Sequence, residues 1–292
     1  LITKEFTIHC KVGQRIHVFP ISDIHYGSAD CETDRFNALM RWSVSKMDDD
    51  ADLVLVFGTG DYLELPSPSE RAALVAAKGG YGLHDTTLET MDEIFLAKID
   101  PFIKVLQPLA ERGAILGLGE GHHLYDKFVT PGLIGLNSTQ YICRELKTSY
   151  FGMMFVLKLN FVVDGKQGPS FSIMAMHGYG SARTAGAQVN KRLRMAEVIE
   201  GADLYVMGHD NNKMVYPKSP LILNANSKDG VSYHKQYFMG AGSFQRGYRM
   251  GTPFGSYVEA LALAPHMLGI NIAELVIEKR NGKLRLDYHI SS

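Results

Sequence analysis

Short aliphatic and β-branched runs recur along the chain, each closing on Gly, Pro or Asp. They are RIHVFPIS (15–22), DLVLVFG (52–58), GAILGLG (113–119), FSIMAM (171–176) and LYVMG (204–208). Runs of that length and makeup predict buried strands. Between them apolar residues return at helical spacing: in DRFNALMRWSVSKM (34–47), Phe36, Leu39, Met40 and Val44 share one stripe. A longer amphipathic stretch covers 87–113, interrupted by Pro101 and Pro108 and closed by Gly113. A third covers 185–201 and closes on Gly201. Strands alternating with helices predict an α/β architecture.

The pattern changes after residue 150. The segment 151–178 reads as two strands joined by a turn at Asp164-Gly165, and 270–290 as two strands around Asn281-Gly282, a strong hairpin signal. MVYPKSPLIL (214–223) and YHKQYFMGAGSF (233–244) extend this strand-rich tail. Antiparallel pairs joined to a βα-rich first half predict two mixed sheets packed together. No repeat, low-complexity tract or linker divides the sequence, so a single domain over 1–292 is expected.

Composition narrows the function classes. The chain has 292 residues, 46% hydrophobic and 21% charged, with a net charge of −1. Sequence-blind binding to duplex nucleic acid takes a strongly basic surface, which this balance argues against; a local basic lip remains open. Cys10, Cys31 and Cys143 form neither a disulfide framework nor a zinc-finger spacing, which predicts a reducing, cytoplasmic setting. There is no apolar run of about 18 residues, so no membrane span or membrane partner is expected. The opening LITKEFTIHC lacks the basic and long apolar regions of a signal peptide.

The candidate chemistry lies where the five runs end. Asp23 and His25 follow the first, Asp61 the second, His122 and His123 the third, His177 the fourth, and His209 with Asn211 the fifth. In open α/β sheets, ligands bind in the crevice outside the carboxyl ends of the strands. A lone D-I-H is an ordinary turn sequence and a lone histidine after a strand is usually structural. Five such sites, all at strand ends, make a joint signal. Two carboxylates, several imidazoles and an amide oxygen are enough donors for two divalent metals with one carboxylate shared.

The series DIH (23–25), GD (60–61), GHH (121–123), HG (177–178) and GHDN (208–211) resembles the five motifs of the calcineurin-like metallophosphoesterases. Those motifs read D-x-H, G-D, G-N-H-D/E, H and G-H-x-H, and the likeness spans about 190 residues; the tail is softly similar to phage and prokaryotic members. The resemblance implies a four-layer αββα sandwich, two mixed sheets flanked by helices. It assigns Asp23, His25, Asp61 and Asn211 to one metal, and Asp61, His122, His177 and His209 to the other. His123 takes the place of the family's catalytic histidine. Glu64 stands where the protein-phosphatase branch has an acid that orients that histidine, and is expected to bond His123 and keep it protonated. Leu65, in place of that branch's arginine, argues against a Ser/Thr protein phosphatase.

The sequence departs from the motifs in three places. His122 replaces an asparagine, Asn211 replaces a histidine, and Leu124 replaces an acid. The exchange makes the first metal site oxygen-rich, suited to Mn²⁺, and the second nitrogen-rich, suited to Zn²⁺ or iron. The implied reaction is hydrolysis of a phosphoester, with a hydroxide bridging two divalent metals as nucleophile and His123 as proton donor. Two stretches are candidates for the substrate lip. Residues 177–194 carry Arg183, Lys191, Arg192 and Arg194; residues 243–254 mix Phe244, Arg246, Tyr248 and Arg249. Arginines beside aromatics suit a nucleotide or nucleic-acid diester. A phosphomonoesterase and a non-catalytic scaffold of the same fold stay open, as does the oligomeric state.

Overall fold

A computed structural model describes residues 1–48, 51–77, 84–126, 128–180, 182–251, 255–260 and 262–291. In chain order the first half runs β1 (Ile2–Cys10), β2 (Arg15–Ser22), α1 (Thr33–Lys46), β3 (Asp52–Gly60), α2 (Pro68–Ala77), α3 (Asp85–Glu111), β4 (Ile115–Gly119) and α4 (Ser138–Glu145). There follow β5 (Ser149–Gly152), β6 (Met154–Val163), β7 (Lys166–Met176), α5 (Ala185–Leu193), α6 (Met195–Val198) and β8 (Leu204–Met207). The tail holds β9 (Val215–Lys218), β10 (Leu221–Leu223), β11 (Val231–Tyr233), β12 (Gln236–Gly240) and β13 (Gly242–Ser243). It closes with α7 (Tyr257–Ala260), β14 (Gly269–Ile270), β15 (Ile272–Arg280) and β16 (Lys283–Ser291).

Two six-stranded mixed sheets carry the architecture, in the orders β16-β15-β2-β3-β4-β5 and β1-β6-β7-β8-β12-β9. In the first sheet β2 to β5 are parallel, and the β15–β16 hairpin adds antiparallel to β2. In the second, β7, β8 and β12 are parallel neighbours, while β6 and β9 run against them. Both hairpins expected from Asp164-Gly165 and Asn281-Gly282 are present. The N-terminal strand β1, which the sequence pattern did not reveal, pairs parallel with β6.

Alternation along the strands explains the layering. In β3, Leu55 and Phe57 face the second sheet, where they meet Phe155, Leu157, Phe171, Ile173, Leu204 and Val206. Val54 and Val56 face the other way, onto Phe36 and Met40 of α1 and Ile99, Phe102, Leu106 and Leu109 of α3. In β8, Leu204 and Val206 point between the sheets, and Tyr205 and Met207 point outward with Met195 of α6. The result is helix, sheet, sheet, helix, the sandwich that the sequence reading anticipated.

Two helices differ from expectation. Pro101 and Pro108 lie inside α3 without ending it. An internal proline forfeits a backbone hydrogen bond and costs about 3 kcal/mol. Here the buried face of Phe95, Ile99, Phe102, Leu106 and Leu109 outweighs that cost, at roughly 1.5–3 kcal/mol for each large side chain removed from water. The stretch 185–201 splits at Arg194 into α5 and the one-turn α6. Among the described residues, no helix is long and apolar enough to cross a membrane.

Phe57, fully buried between the sheets, tests this packing. Phe57→Ala is expected to destabilise the fold by about 3–5 kcal/mol in urea unfolding. A loss under about 1 kcal/mol would contradict an inter-sheet core at that position.

Candidate metal centre

The parallel strands β2, β3 and β4 of one sheet and β7 and β8 of the other end at the same rim, and their following residues converge there. The ligand atoms of Asp61, His122, His177 and His209 lie within 4.8 Å of one another, and so do those of His25, Asp61 and His123. Asp61 belongs to both groups. Asp23, His25, Asp61, His209 and Asn211 all adopt left-handed backbone angles, with φ of 48°, 48°, 53°, 66° and 58°. Non-glycine residues rarely do so, and each such residue costs of order 1–3 kcal/mol unless its surroundings enforce it.

Hydrogen bonds supply that enforcement. Asp61 Oδ1 accepts the backbone N–H groups of His122 (2.6 Å) and His123 (2.8 Å). Gly121 makes room for this: a Cβ there would overlap the Asp61 carboxylate and backbone nitrogen. Asp23 Oδ2 accepts the Ser22 hydroxyl (2.5 Å) and the His209 N–H (2.9 Å). The Asp23 carbonyl accepts from the Ser243 hydroxyl at 2.8 Å. Ser22 and Ser243 were not singled out in the sequence, because a serine supporting a turn has no motif of its own.

The acceptors behind the imidazoles fix which nitrogen is free. A carbonyl oxygen only accepts, so the nitrogen facing it carries the proton. His177 Nδ1 donates to the Thr59 carbonyl (3.1 Å) and His123 Nδ1 to that of Leu65 (2.9 Å), leaving each Nε2 free. His209 Nε2 donates to the Gly180 carbonyl (2.7 Å), leaving Nδ1, which lies 3.2 Å from His122 Nδ1. His25 Nδ1 donates to Glu64 Oε2 at 2.7 Å. Backing of this kind orients metal-ligating histidines.

Charge follows geometry. The Asp61 carboxyl sits far below the usual carboxylate range; burial opposes this, but His177, His25 and His123 outweigh it. Burial lowers the His177 imidazole, yet the Asp61 carboxylate reverses the sign and raises it to about 8. Burial, then the neighbouring His177 and His209, push His122 down to about 4. His209 is lowered by burial and by His177. The hydrogen bond with His25 lowers Glu64, and His25 itself is raised: burial works against its charge, but Glu64 and Asp61 overcome it.

The donors fit a divalent cation. Asn211 Oδ1 is buried without a partner, and His177 Nε2 is buried in an ion-pair contact with Asp61 Oδ2 at 3.0 Å. Unpartnered buried polar atoms are costly, and facing a cation is one arrangement that satisfies them.

Several sequence expectations are corrected. Glu64 bonds His25, not His123, because the His123 ring is turned to the Leu65 carbonyl. Asp23 is in neither donor group, its Oδ2 being committed to Ser22 and His209. His123 instead stands edge-on to His25, ring centroids 4.7 Å apart. Lys191 and Arg192 are not lip residues: both are buried against Asp210, at 2.7 and 3.2 Å. Phe244 is core, packed edge-on to Phe36. Arg246 is paired with Glu32 and Arg249 with Asp30, and the Tyr248 hydroxyl donates to the Leu263 carbonyl (2.6 Å). Arg183 and Arg194 are exposed. Ser181 and residues 252–254 of the two lip stretches lie outside the described residues.

No protein-family model matches the sequence, and no curated protein matches it. Among solved structures it is similar to Vacuolar Protein Sorting 29 from Cryptosporidium parvum, at 14% identity and a TM-score of 0.34 over 97% of this chain and 100% of that one. A single mutant of Vps29 from Entamoeba histolytica is similar at 13% identity and a TM-score of 0.33, over 94% of this chain and 99% of that one. A double mutant of the same protein gives 11% and 0.34, over 96% and 100%. Likeness at these values carries no argument about chemistry.

The raised His177 predicts how cation uptake depends on pH. A cation at its Nε2 must displace a proton that is held below about pH 8. Affinity for Zn²⁺, measured calorimetrically, is expected to rise about tenfold per pH unit from 6.5 to 8 and level off above, with proton release on binding. An affinity flat over that range would mean His177 is not a ligand.

Proposed function

We propose that the chain is a dinuclear-metal phosphoester hydrolase that cleaves nucleotide or nucleic-acid phosphodiesters. The observation that carries this reading is the Asp61 carboxylate shared by two groups of imidazoles, most of them with one nitrogen tied back and the other free. The order of the strand-end motifs, similar to that of the calcineurin-like metallophosphoesterases, supports the same chemistry. Asp61, His122, His177 and His209 would hold one cation, a nitrogen-rich set suited to Zn²⁺ or iron. His25 and Asp61, with Asn211 as an oxygen donor, would hold the other, suited to Mn²⁺. Once bound, such a pair polarises phosphoryl oxygens and brings the pKa of water to about 7.

The chain's own side chains do the remaining work. With Nδ1–H held by Leu65, His123 would deliver a second proton, carried on Nε2 in the imidazolium form, to the leaving oxygen and return to the neutral ring. Glu64, through His25, orients a ligand rather than the proton donor. Arg183 is exposed beyond the His177 loop and suits a substrate phosphate. Tyr179, 49% exposed two residues past His177, offers a face on which a base can stack. These two residues favour a nucleotide-containing diester.

Metal analysis with bis-p-nitrophenyl phosphate and p-nitrophenyl phosphate as paired substrates tests the reading. Two cations per chain and faster turnover of the diester are expected; fewer than one cation per chain, with no turnover, would end it in favour of a non-catalytic scaffold. His123→Ala is expected to keep both cations and lose about 10²–10⁴-fold in rate on diesters with poor leaving groups. Undiminished turnover of those substrates removes His123 from its role.

A further inference from the structure

Asp210 lies between His209 and Asn211, two left-handed residues with φ of 66° and 58°. An aspartate in such a turn is ordinarily solvated, yet this side chain is only 3% exposed. Two cations from one helix reach it. Lys191 Nζ is 2.7 Å from Oδ1, and Arg192 Nη1 is 3.2 Å from Oδ2. Arg192 is fully buried and also donates to the carbonyls of Gln188 (3.0 Å) and Met207 (3.4 Å).

Stability alone does not account for this cluster. Taking charged groups out of water costs several kcal/mol each, and a buried ion pair often does no better than apolar residues of the same shape. Its geometric consequence is clearer. The same helix, α5, bonds the turn again through Gln188 Oε1, which accepts from Asn212 Nδ2 at 2.9 Å. Gln188 Nε2 in turn donates to the Ala182 carbonyl at 2.9 Å, in the loop that follows His177. That loop also receives the His209 ring at the Gly180 carbonyl. α5 therefore ties together the two loops that carry His177, His209 and Asn211.

We propose that Asp210 is a positioning residue of the metal centre: clamped by Arg192 and Lys191, it locks the 208–212 turn so that His209 and Asn211 are held ready for their cations. This rests on the metal-binding reading above. It adds that ligand placement on the β8 side is set by one ion-paired carboxylate that touches no metal ion itself.

The test measures Mn²⁺ affinity by calorimetry and amide hydrogen exchange of the metal-free protein. Asp210→Asn is expected to weaken Mn²⁺ binding by about 10–100-fold and to speed exchange at 207–213 while the central strands stay protected. Asp210→Glu, which keeps the charge, is expected to recover part of the affinity. Lys191→Met leaves the Arg192 pair in place and guards against an Asp210→Asn chain that does not fold; a several-fold weakening is expected. Unchanged affinity in Asp210→Asn, or in Lys191→Met where only that variant folds, overturns the proposal. A faster exchange spread evenly over the whole fold also overturns it. If the unaltered protein binds no Mn²⁺, the metal reading fails, and exchange at 207–213 in the folded variant still decides whether Asp210 locks the turn.

Discussion

The ionised carboxylate of Asp61 is the constraint on which the candidate centre depends. It is 4% exposed, and its two oxygens are divided between two tasks. Oδ1 takes the backbone N–H groups of His122 and His123, while Oδ2 faces His177 across the gap between the sheets. One side chain thus fixes the third strand-end loop and sets the charge of the fourth. A buried anion with those partners stays ionised, and the imidazole opposite gains a proton until something more positive displaces it.

Local strain is concentrated at this rim. Of nine non-glycine residues with left-handed angles among those described, five are Asp23, His25, Asp61, His209 and Asn211. The other four are Lys147, Asp164, Ala262 and Asn281. The strained residues at the rim are held from outside their own strands: Ser243 bonds the Asp23 carbonyl, the Asp23 carboxylate bonds the His209 amide, and Glu64 bonds the His25 ring. The bond from the His209 amide to Asp23 therefore ties the rim of one sheet to that of the other. Such strain persists only in surroundings that over-determine it.

How far the sequence revealed this differs from residue to residue. The strand ends were legible because apolar runs of four to eight residues announce themselves, and Asp, His and Gly directly after them mark where the chain turns. The hairpins were legible from Asp164-Gly165 and Asn281-Gly282. β1 was not, because its alternation of exposed and half-buried residues, pairing at a sheet edge, is weak. The continuity of α3 through Pro101 and Pro108 was hidden because it depends on packing with α1 and the first sheet. Lys191 and Arg192 differ from expectation for a related reason. They look like a basic surface until Asp210, eighteen residues beyond Arg192, is seen folded back onto them. Charge in a sequence carries no sign of its partner, and Glu64 could be assigned to His25 or His123 only by geometry.

The bond from the His209 amide to Asp23 Oδ2 spans 186 residues, and that from Ser243 to the Asp23 carbonyl spans 220. β2 itself waits for β15 to cover its open edge. At a synthesis rate of about 5–20 residues per second, roughly 10–40 s separate the emergence of Asp23 from that of its amide partner. During that interval the carboxylate has water as its partner and the strand edge has none from the chain. The centre therefore closes late, after much of the chain has been made, and the nascent first half must remain soluble with its most demanding turns still unformed.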